Sequence, residues 1–147
     1  MDKTSRVDVI AIESPADMER AYAIRRRVFI EEQRVPEEIE MDSEDAHAFH
    51  ALATLDGVAI GCGRMVEHGA SEVKIGRMAV LQEFRSTGVG AKILRFLIDR
   101  ARSGGVRKAV LHAQLTAEGF YLKEGFTSIG GIFEEAGIAH RLMERQL

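Results

Sequence analysis

The sequence predicts an α/β (α+β) fold, in which one mixed sheet carries helices on both faces. The elements that hydrophobic periodicity indicates follow the order β, α, βββ, α, β, α, ββ. A helix lies on each side of the buried-looking strand "KAVLHA", and crossover helices of this kind pack on the faces of a sheet. The chain has 147 residues, so we expect residues 1–147 to form a single domain with a sizeable core.

The first elements are a short strand, a capped helix and a loop. "RVDVIAI" (Arg6–Ile12) is rich in β-branched residues, which favours a strand. Ser14 then stands at an N-cap position, with Pro15 at the first helical position and Asp17 three residues after the cap. The predicted helix runs through "MERAYAIRRRVFIEEQ", and its apolar face consists of Ala21, Ile24, Val28 and Phe29. Residues 34–46 break this periodicity and are predicted to be a loop.

The remaining elements begin with a hairpin. "HAFHALATL" and "VAIGCGRMV" flank Asp56–Gly57, a dipeptide that favours a tight type I′ turn, and "EVKIGRMAVL" is the next strand. An amphipathic helix is predicted over Val89–Arg102, followed by the "KAVLHA" strand. "TAEGFYLKE" is a short helix closed by Gly125. Two weak strands are predicted near Phe126–Ile129 and Ile138–Met143.

Composition and charge restrict the function classes. The net charge of −3 gives no reason to expect a nucleic-acid partner, and no stretch approaches the roughly 18 apolar residues of a membrane span. The N-terminal "MDKTSRVDVI" lacks the apolar region of a secretory leader. Cys62 is the only cysteine, which excludes an internal disulfide and suits a reducing cytoplasm. Cys62 lies between two glycines in a predicted strand, and we expect its side chain to fill a small buried space.

Two glycines, Gly88 and Gly90, stand where the amphipathic helix begins. Glycine starts a helix less well than Ser, Thr, Asp or Asn, so another reason is needed. A Walker A loop would need Ser or Thr after Lys92, and a Rossmann fingerprint would need its first glycine directly after the strand. The remaining functional interpretation is a loop whose backbone N–H groups bind a pyrophosphate at the helix N-terminus. The alternative is a loop that needs positive φ for steric reasons.

The pattern Arg85-x-x-Gly88-x-Gly90 after the strand "GRMAV" resembles the acetyl-coenzyme A signature of the GNAT superfamily of N-acetyltransferases. A second block, "LHAQLTAEGFYLKEGF" (Leu111–Phe126), is similar to that family's strand, short helix and "FYxxxGF" ending. The run "RRRVFIEEQRVPEEIEMDSEDAHAFHALA" resembles the ElaA-like branch of the family. Together the three blocks span most of the chain.

This resemblance implies a mostly antiparallel sheet of about six or seven strands, with a splay between the fourth and fifth strands. It implies that acetyl-CoA is the co-substrate: its pantetheine arm pairs with the strand before the loop, and its pyrophosphate lies on the loop's N–H groups. Carried over residue by residue, the cofactor-binding positions are Met78, Ala79, Val80, Arg85, Ser86, Thr87, Gly88, Val89, Gly90, Ala91, Gln114, Ala117 and Tyr121. Gln114 departs from the family's usual asparagine.

The same resemblance places Tyr121 near the cofactor sulfur, where a phenol could protonate the departing thiolate as a general acid. The alternative is that Tyr121 is only a core aromatic. A base for the acceptor amine has several candidates, among them Glu72, His112 and Asp42. The ElaA-like branch carries residues of the same types as Glu40 and His50 in the same arrangement, so these two are the tentative base or substrate-binding residues.

Three patterns of charged or potentially metal-binding residues remain to be interpreted. "EEIEMDSED" holds six carboxylates, which could attract a cationic amine or form a solvated surface; it lacks the glycine of a calcium loop. Arg25–Arg27 could reach a cofactor phosphate, although they point in different directions on a helix. His47 and His50 point oppositely on a strand, so we expect no metal site.

The function that follows is transfer of the acetyl group of acetyl-CoA to a primary amine by direct nucleophilic attack, without a metal. The acceptor is a small-molecule or a protein amine. Alternatives are transfer of a longer acyl group and a CoA- or acyl-CoA-binding sensor or interaction module without turnover. Dimers are common among the proteins that the chain resembles, which leaves a homodimer open; no nucleic-acid or membrane partner is expected.

Overall fold

One seven-stranded sheet organises the protein, with helices packed on both of its faces. The computed structural model describes residues 6–147; residues 1–5, part of the stretch predicted to lack a secretory leader, lie outside the described residues. The strands are β1 (Val7–Ala11), β2 (Phe49–Leu55), β3 (Val58–Glu67), β4 (Glu72–Val80), β5 (Lys108–Gln114), β6 (Thr127–Glu135) and β7 (Ile138–Gln146). The helices are α1 (Pro15–Arg25), α2 (Glu37–Glu40), α3 (Val89–Ser103) and α4 (Glu118–Lys123).

The strand order is β1-β2-β3-β4-β5-β7-β6, and every neighbouring pair is antiparallel except β4 and β5, which are parallel. Helix α3 packs on β1 to β4 and closes the larger core, whose members include Ile93, Leu94, Leu97 and Met143. Helix α1 packs against β2, β3 and β4 together with the smaller core around Leu52. The predicted mixed sheet with helices on both faces is confirmed.

The segment between α1 and β2 is more structured than its sequence predicts. Ser14 caps α1 as expected, because its hydroxyl accepts a hydrogen bond from the Asp17 N–H at 3.1 Å. After α1 the chain continues as a wider π-helical segment over Arg26–Glu32. The prediction of a plain loop over residues 34–46 was wrong, since this stretch contains α2 and a 3₁₀ turn at Ser43–Ala46.

A β-bulge in β4 opens the sheet. Cys62 pairs with Ala79 and Arg64 pairs with Gly76, so two residues of β4, Arg77 and Met78, face one residue of β3. Arg77 has φ +50°, the left-handed conformation that a bulge uses. The parallel pairing of β4 with β5 ends at Ile75 and Leu111, while β4 continues to Val80 beside β3 and β5 continues to Gln114 beside β7. The two strands therefore separate beyond that pair, which is the expected splay.

The C-terminal hairpin is longer than predicted. The short strands expected over 126–129 and 138–143 are the nine-residue strands β6 and β7. They are joined by a two-residue turn at Ala136 and Gly137, both with positive φ. Alanine is unusual in such a turn, so Ala136–Gly137 is only a weak hairpin signal. The turn brings Glu135 and His140 beside the open part of the sheet.

Candidate functional site

A cavity of about 790 Å³ lies at the splay between β4 and β5. Its walls include seven of the predicted cofactor-binding residues, namely Met78, Ala79, Val80, Arg85, Gln114, Ala117 and Tyr121. Glu40, one of the two tentative base or substrate-binding residues, also lines it, and His50 is not among the lining residues. The cavity thus joins the end of β4, where the glycine loop begins, to the acidic segment around α2.

Glycine is present at positions 88 and 90 of the loop for different reasons. Gly88 is the N-cap of α3 with φ +92°, so its backbone conformation alone accounts for glycine. Gly90 is helical, and a Cβ added there would meet Phe120 ring carbons at 3.6 Å and beyond and Val80 Cγ2 at 4.0 Å, which are ordinary contacts. Packing within the chain therefore does not require glycine at position 90. Because α3 has no side-chain N-cap bond, its first N–H groups are available to an anion, which fits the proposed pyrophosphate position.

Arg85 is held at the end of β4 by two partners. Its Nε donates to the Val80 carbonyl at 2.8 Å, and its Nη2 lies 3.0 Å from the Glu32 carboxylate. The Thr87 hydroxyl donates to the Phe84 carbonyl and stabilises the turn between β4 and α3. A guanidinium is therefore fixed beside the loop, and Glu32 partly neutralises it.

Tyr121 lines the same cavity. Its ring packs between Phe120 and Phe126, at centroid distances of 4.9 and 5.8 Å, and the residue is 8% exposed. Burial raises the pKa of Tyr121 to about 12, so the phenol keeps its proton at neutral pH. Gln114 donates to the Gln33 side-chain oxygen at 2.9 Å, which ties β5 to the segment after α1.

A buried charged cluster adjoins the cavity through Glu40, Asp42, Arg64 and Arg77. Arg25 is 1% exposed, and it bonds Glu40 at 2.7 Å and Asp45 at 2.8 Å. Burial opposes the charge of Arg25, but its hydrogen bonds to Asp45 and Glu40 outweigh burial and raise the pKa of Arg25 above its usual value. Glu40 and Asp45 are not a solvated surface, because both are largely buried and paired with Arg25. The attraction of a cationic amine to this run stays a prediction. Arg25 binds carboxylates of the chain itself.

Two arginines of the sheet complete the charged cluster. Arg64 on β3 bonds Asp42 at 2.7 Å and Asp45 at 2.8 Å. Arg77, at the bulge of β4, bonds the Glu40 carbonyl at 3.2 Å and Asp42 at 3.1 Å. The hydrogen bond from Arg64 lowers the pKa of Asp42 to about 2. Three guanidiniums therefore face three carboxylates in the charged cluster, which consists of Arg25, Glu40, Asp42, Asp45, Arg64 and Arg77.

One atom of the charged cluster is left without a partner. Glu40 is 2% exposed, its Oε1 faces Arg25 and Arg77, and its Oε2 is buried and accepts no hydrogen bond from the described residues. An unpaired buried carboxylate oxygen is costly, so it is a position for a donor that comes from a ligand or water. His50 places Nε2 2.9 Å from the Asp45 carbonyl, on the side of the cluster that does not line the cavity.

The other candidate residues lie outside this arrangement. Glu72 is at the start of β4, where it pairs with His68 and with Lys108 at 3.5 Å, and it does not line the cavity. Burial raises the pKa of the Cys62 thiol to about 12, so the residue packs as a small neutral side chain, as expected. Within residues 6–147, no three His, Cys, Asp or Glu side chains meet in an arrangement that could hold a metal ion. None of the helices described is long and apolar enough to cross a membrane.

Sequence reasoning missed Arg64, Arg77, Gln33, Glu135 and His140. One signal was present for Arg64, because an arginine inside the apolar strand "VAIGCGRMV" must find carboxylate partners when the strand is buried. The others depend on the bulge of β4 and the turn after β6, which bring together residues distant in sequence.

Comparisons with known proteins agree with this geometry. A family model described as an acetyltransferase (GNAT) domain matches residues 11–147. The uncharacterised N-acetyltransferase YjcF of Bacillus subtilis is 35% identical over 125 residues, which are 84% of this chain and 88% of that protein. Escherichia coli ElaA has the same fold, with a TM-score of 0.84 and 22% identity over 95% of this chain and 99% of its own.

A third comparison includes a bound ligand. N-acetylglutamate synthase from Neisseria gonorrhoeae, solved with coenzyme A and N-acetyl-glutamate, matches with a TM-score of 0.76 and 22% identity. The match covers 96% of this chain and 35% of that one, and it shows a shared fold. Since the family model spans all but the first ten residues and YjcF exceeds 30% identity, the chain belongs to the GNAT family of acetyltransferases.

Proposed function

We propose that residues 1–147 form one acetyltransferase domain that transfers acetyl from acetyl-CoA to a primary amine by direct attack. The observation that supports this most is the single cavity that joins the end of β4, Tyr121 and the charged cluster. Two substrates that react directly must reach one another in one space, and this cavity is lined by Arg85, which precedes the two glycines, and by Ile39 and Glu40 of α2.

The cofactor end would hold acetyl-CoA. The N–H groups of residues 85–91 and the dipole of α3 would bind the pyrophosphate, and Gly90 leaves room for its approach. Met78, Ala79 and Val80, on the edge of β4 that has separated from β5, offer main-chain groups to an extended pantetheine. Coenzyme A in the N. gonorrhoeae neighbour supports this choice of co-substrate.

Acetyl-CoA supplies an activated acetyl group. When a neutral amine attacks its carbonyl, the C–N bond forms, the C–S bond breaks, the nitrogen loses one proton to solvent, and coenzyme A leaves as a thiolate. Tyr121 would act as the general acid, because its buried phenol retains its proton at neutral pH and lines the cavity. Gln114, fixed by Gln33 at the open end of β5, lines the same space and is suited to hydrogen-bond the pantetheine.

The acceptor end would bind an amine through Glu40. The Glu40 Oε2 is buried and accepts no hydrogen bond from the described residues. An N–H group of the acceptor would supply the missing hydrogen bond. Arg25 and Arg77 both contact Glu40 Oε1, which leaves Oε2 to accept a hydrogen bond from the acceptor. In this assignment Glu40 is a substrate-binding residue, and His50 supports the cluster through Asp45. The acceptor is a small-molecule or a protein amine.

Calorimetric titration with acetyl-CoA, coenzyme A, ATP and NAD tests the proposal. We expect micromolar binding, about −8 kcal/mol, for the two coenzyme A compounds alone. A panel of primary amines with detection of released thiol then follows turnover. Binding of ATP or NAD instead would contradict the cofactor assignment. Coenzyme A binding with no thiol release from any amine would favour a sensor, and release with longer acyl-CoA alone would favour a larger acyl group.

A further inference from the structure

Three side chains on β5, β6 and β7 meet in the cavity and have no role in the steps described above: His112, Glu135 and His140. His112 comes directly after Leu111, whose pairing with Ile75 is the last between β4 and β5. The ring therefore lies at the origin of the splay, where β4 and β5 separate. It lines the same cavity as Tyr121, with its side chain 28% exposed.

Glu135 fixes the orientation of the His112 ring. The His112 Nδ1 lies 3.0 Å from the Glu135 Oε1. Burial tends to raise the pKa of Glu135, but the hydrogen bond from His112 and nearby positive charges lower it below its usual value. Glu135 is thus an ionised acceptor at neutral pH, which keeps the proton of a neutral His112 ring on Nδ1. His112 Nε2 then carries a lone pair, and no described residue forms a hydrogen bond with it.

The neighbours of Glu135 hold this arrangement in place. His140 donates from Nδ1 to the Ile138 carbonyl at 2.7 Å and places Nε2 3.8 Å from the Glu135 Oε2. The Phe133 ring packs against both imidazoles, at 5.0 Å from His112 and 5.9 Å from His140. The tight turn after Glu135 joins β6, which carries Phe133 and Glu135, to β7, which carries His140. A carboxylate packed in this way orients an imidazole as the aspartate of a hydrolase triad does.

We propose that His112, oriented by Glu135, removes the proton from the ammonium group of the acceptor. This rests on the proposed function and divides the acceptor end into two roles, since Glu40 binds the amine and His112 takes its proton. Glu40 is assigned to binding because its carboxylate is fixed by Arg25 and Arg77 and has one oxygen left to accept a hydrogen bond. His112 instead has a carboxylate partner, which stabilises the imidazolium that forms.

The proton balance of the step is simple. One N–H bond of R–NH₃⁺ breaks and one Nε2–H bond forms, giving R–NH₂ and an imidazolium paired with Glu135. The partly exposed ring then releases its proton to water after the acetyl group has moved. The other charged or titratable groups facing the pair are Lys74 on β4 and His140 on β7. Lys74 favours the carboxylate form of Glu135, which keeps the acceptor for Nδ1–H in place.

Two amines of similar size separate a base from a structural residue. Ethylamine is protonated at neutral pH, whereas 2,2,2-trifluoroethylamine is mostly neutral and needs no deprotonation before attack. We expect His112→Gln to lower kcat/KM for ethylamine about 100-fold at pH 7, with recovery as pH rises, and to leave the trifluoro amine nearly unchanged. His68→Gln is the matched control, because it removes a His–Glu pair with Glu72 that does not line the cavity. An equal loss for both amines would overturn the proposal.

A second measurement does not depend on finding an acceptor. Long-range ¹H–¹⁵N spectra of the imidazoles should show neutral His112 with its proton on Nδ1, and Glu135→Gln should reduce that preference. A proton on Nε2 in the parent protein would overturn the assignment. Loss of the proposed function itself is distinguishable, because it would appear as absent acetyl-CoA binding in calorimetry with the His112 tautomer unchanged.

Discussion

The two ends of the cavity are built in different ways. The proposed cofactor end comes mainly from one continuous segment, residues 78–91, to which β5 and the residues after it add Gln114, Ala117 and Tyr121. It would bind its ligand mainly through backbone groups and the start of α3. The proposed acceptor end consists of side chains from α1, the α2 segment, β3, β4, β5 and the β6–β7 hairpin. Backbone groups bind a ligand part that does not vary, whereas converging side chains can change one at a time. The comparison suggests that the acceptor end determines which amine reacts.

The largest expected effect is a loss of stability when the charged cluster is disrupted. Arg25→Met would leave Glu40 and Asp45 buried with one guanidinium fewer, so we expect a loss of about 3–5 kcal/mol in the free energy of unfolding. Urea denaturation measures the loss. Arg26→Met is the control, because Arg26 pairs with Glu37 on the surface, and it should cost below about 1 kcal/mol. Equal effects of the two variants would mean that the cluster is not a structural part of the acceptor end.

The glycine loop should respond in binding and not in stability. Gly90→Glu places a side chain with negative charge at the start of α3, where the pyrophosphate would lie. We expect acetyl-CoA affinity to fall at least about 100-fold, or about 2.7 kcal/mol, in calorimetry. The control is Gly131→Glu on β6, since Gly131 is also open to solvent and does not line the cavity. Unchanged affinity in Gly90→Glu would remove the pyrophosphate from this loop.

Tyr121, which lines the cavity, should affect turnover more than binding. Tyr121→Phe keeps the ring against Phe120 and Phe126 and removes the hydroxyl, so we expect kcat to fall about 10- to 100-fold with little change in acetyl-CoA affinity. The raised pKa, about 12, means that the phenol remains protonated as pH rises, so kcat should show no decline from its ionisation below about pH 10. Tyr22→Phe, at the only other tyrosine, is the control. Full activity of Tyr121→Phe would make Tyr121 a core residue only.

The same contrast explains how much the sequence could predict. The Asp56–Gly57 hairpin, the Ser14 cap and the apolar face of α3 depend on residues close together in the chain, and all three are confirmed. The glycine loop was recognised for the same reason. The bulge at Arg77 has no comparable local pattern, and the charged cluster needs the register of β3 and β4 that the bulge creates.

The site residues divide along this line as well. Glu40 was singled out through the resemblance to the ElaA-like branch, but its burial between two arginines depends on contacts across 15 and 37 residues of sequence. The pairing of His112 with Glu135 depends on a turn whose Ala–Gly pair is a weak hairpin signal. Residue types and the resemblance therefore indicated candidate residues. Their hydrogen-bond partners could be identified only from the folded structure.

The smallest expected effect concerns Glu32, whose carboxylate lies 2.9 Å from Arg85 at the edge of the cofactor end. If Arg85 assists an anionic ligand, this carboxylate competes with it, and Glu32→Gln should raise acetyl-CoA affinity about 2- to 5-fold. Both side chains are partly exposed, so the gain should shrink as salt is added. Glu31→Gln removes a neighbouring exposed charge and should leave affinity within about 2-fold. Weaker binding in Glu32→Gln would show instead that Glu32 holds Arg85 in its binding position, which would make the cofactor end depend on a side-chain contact like the acceptor end.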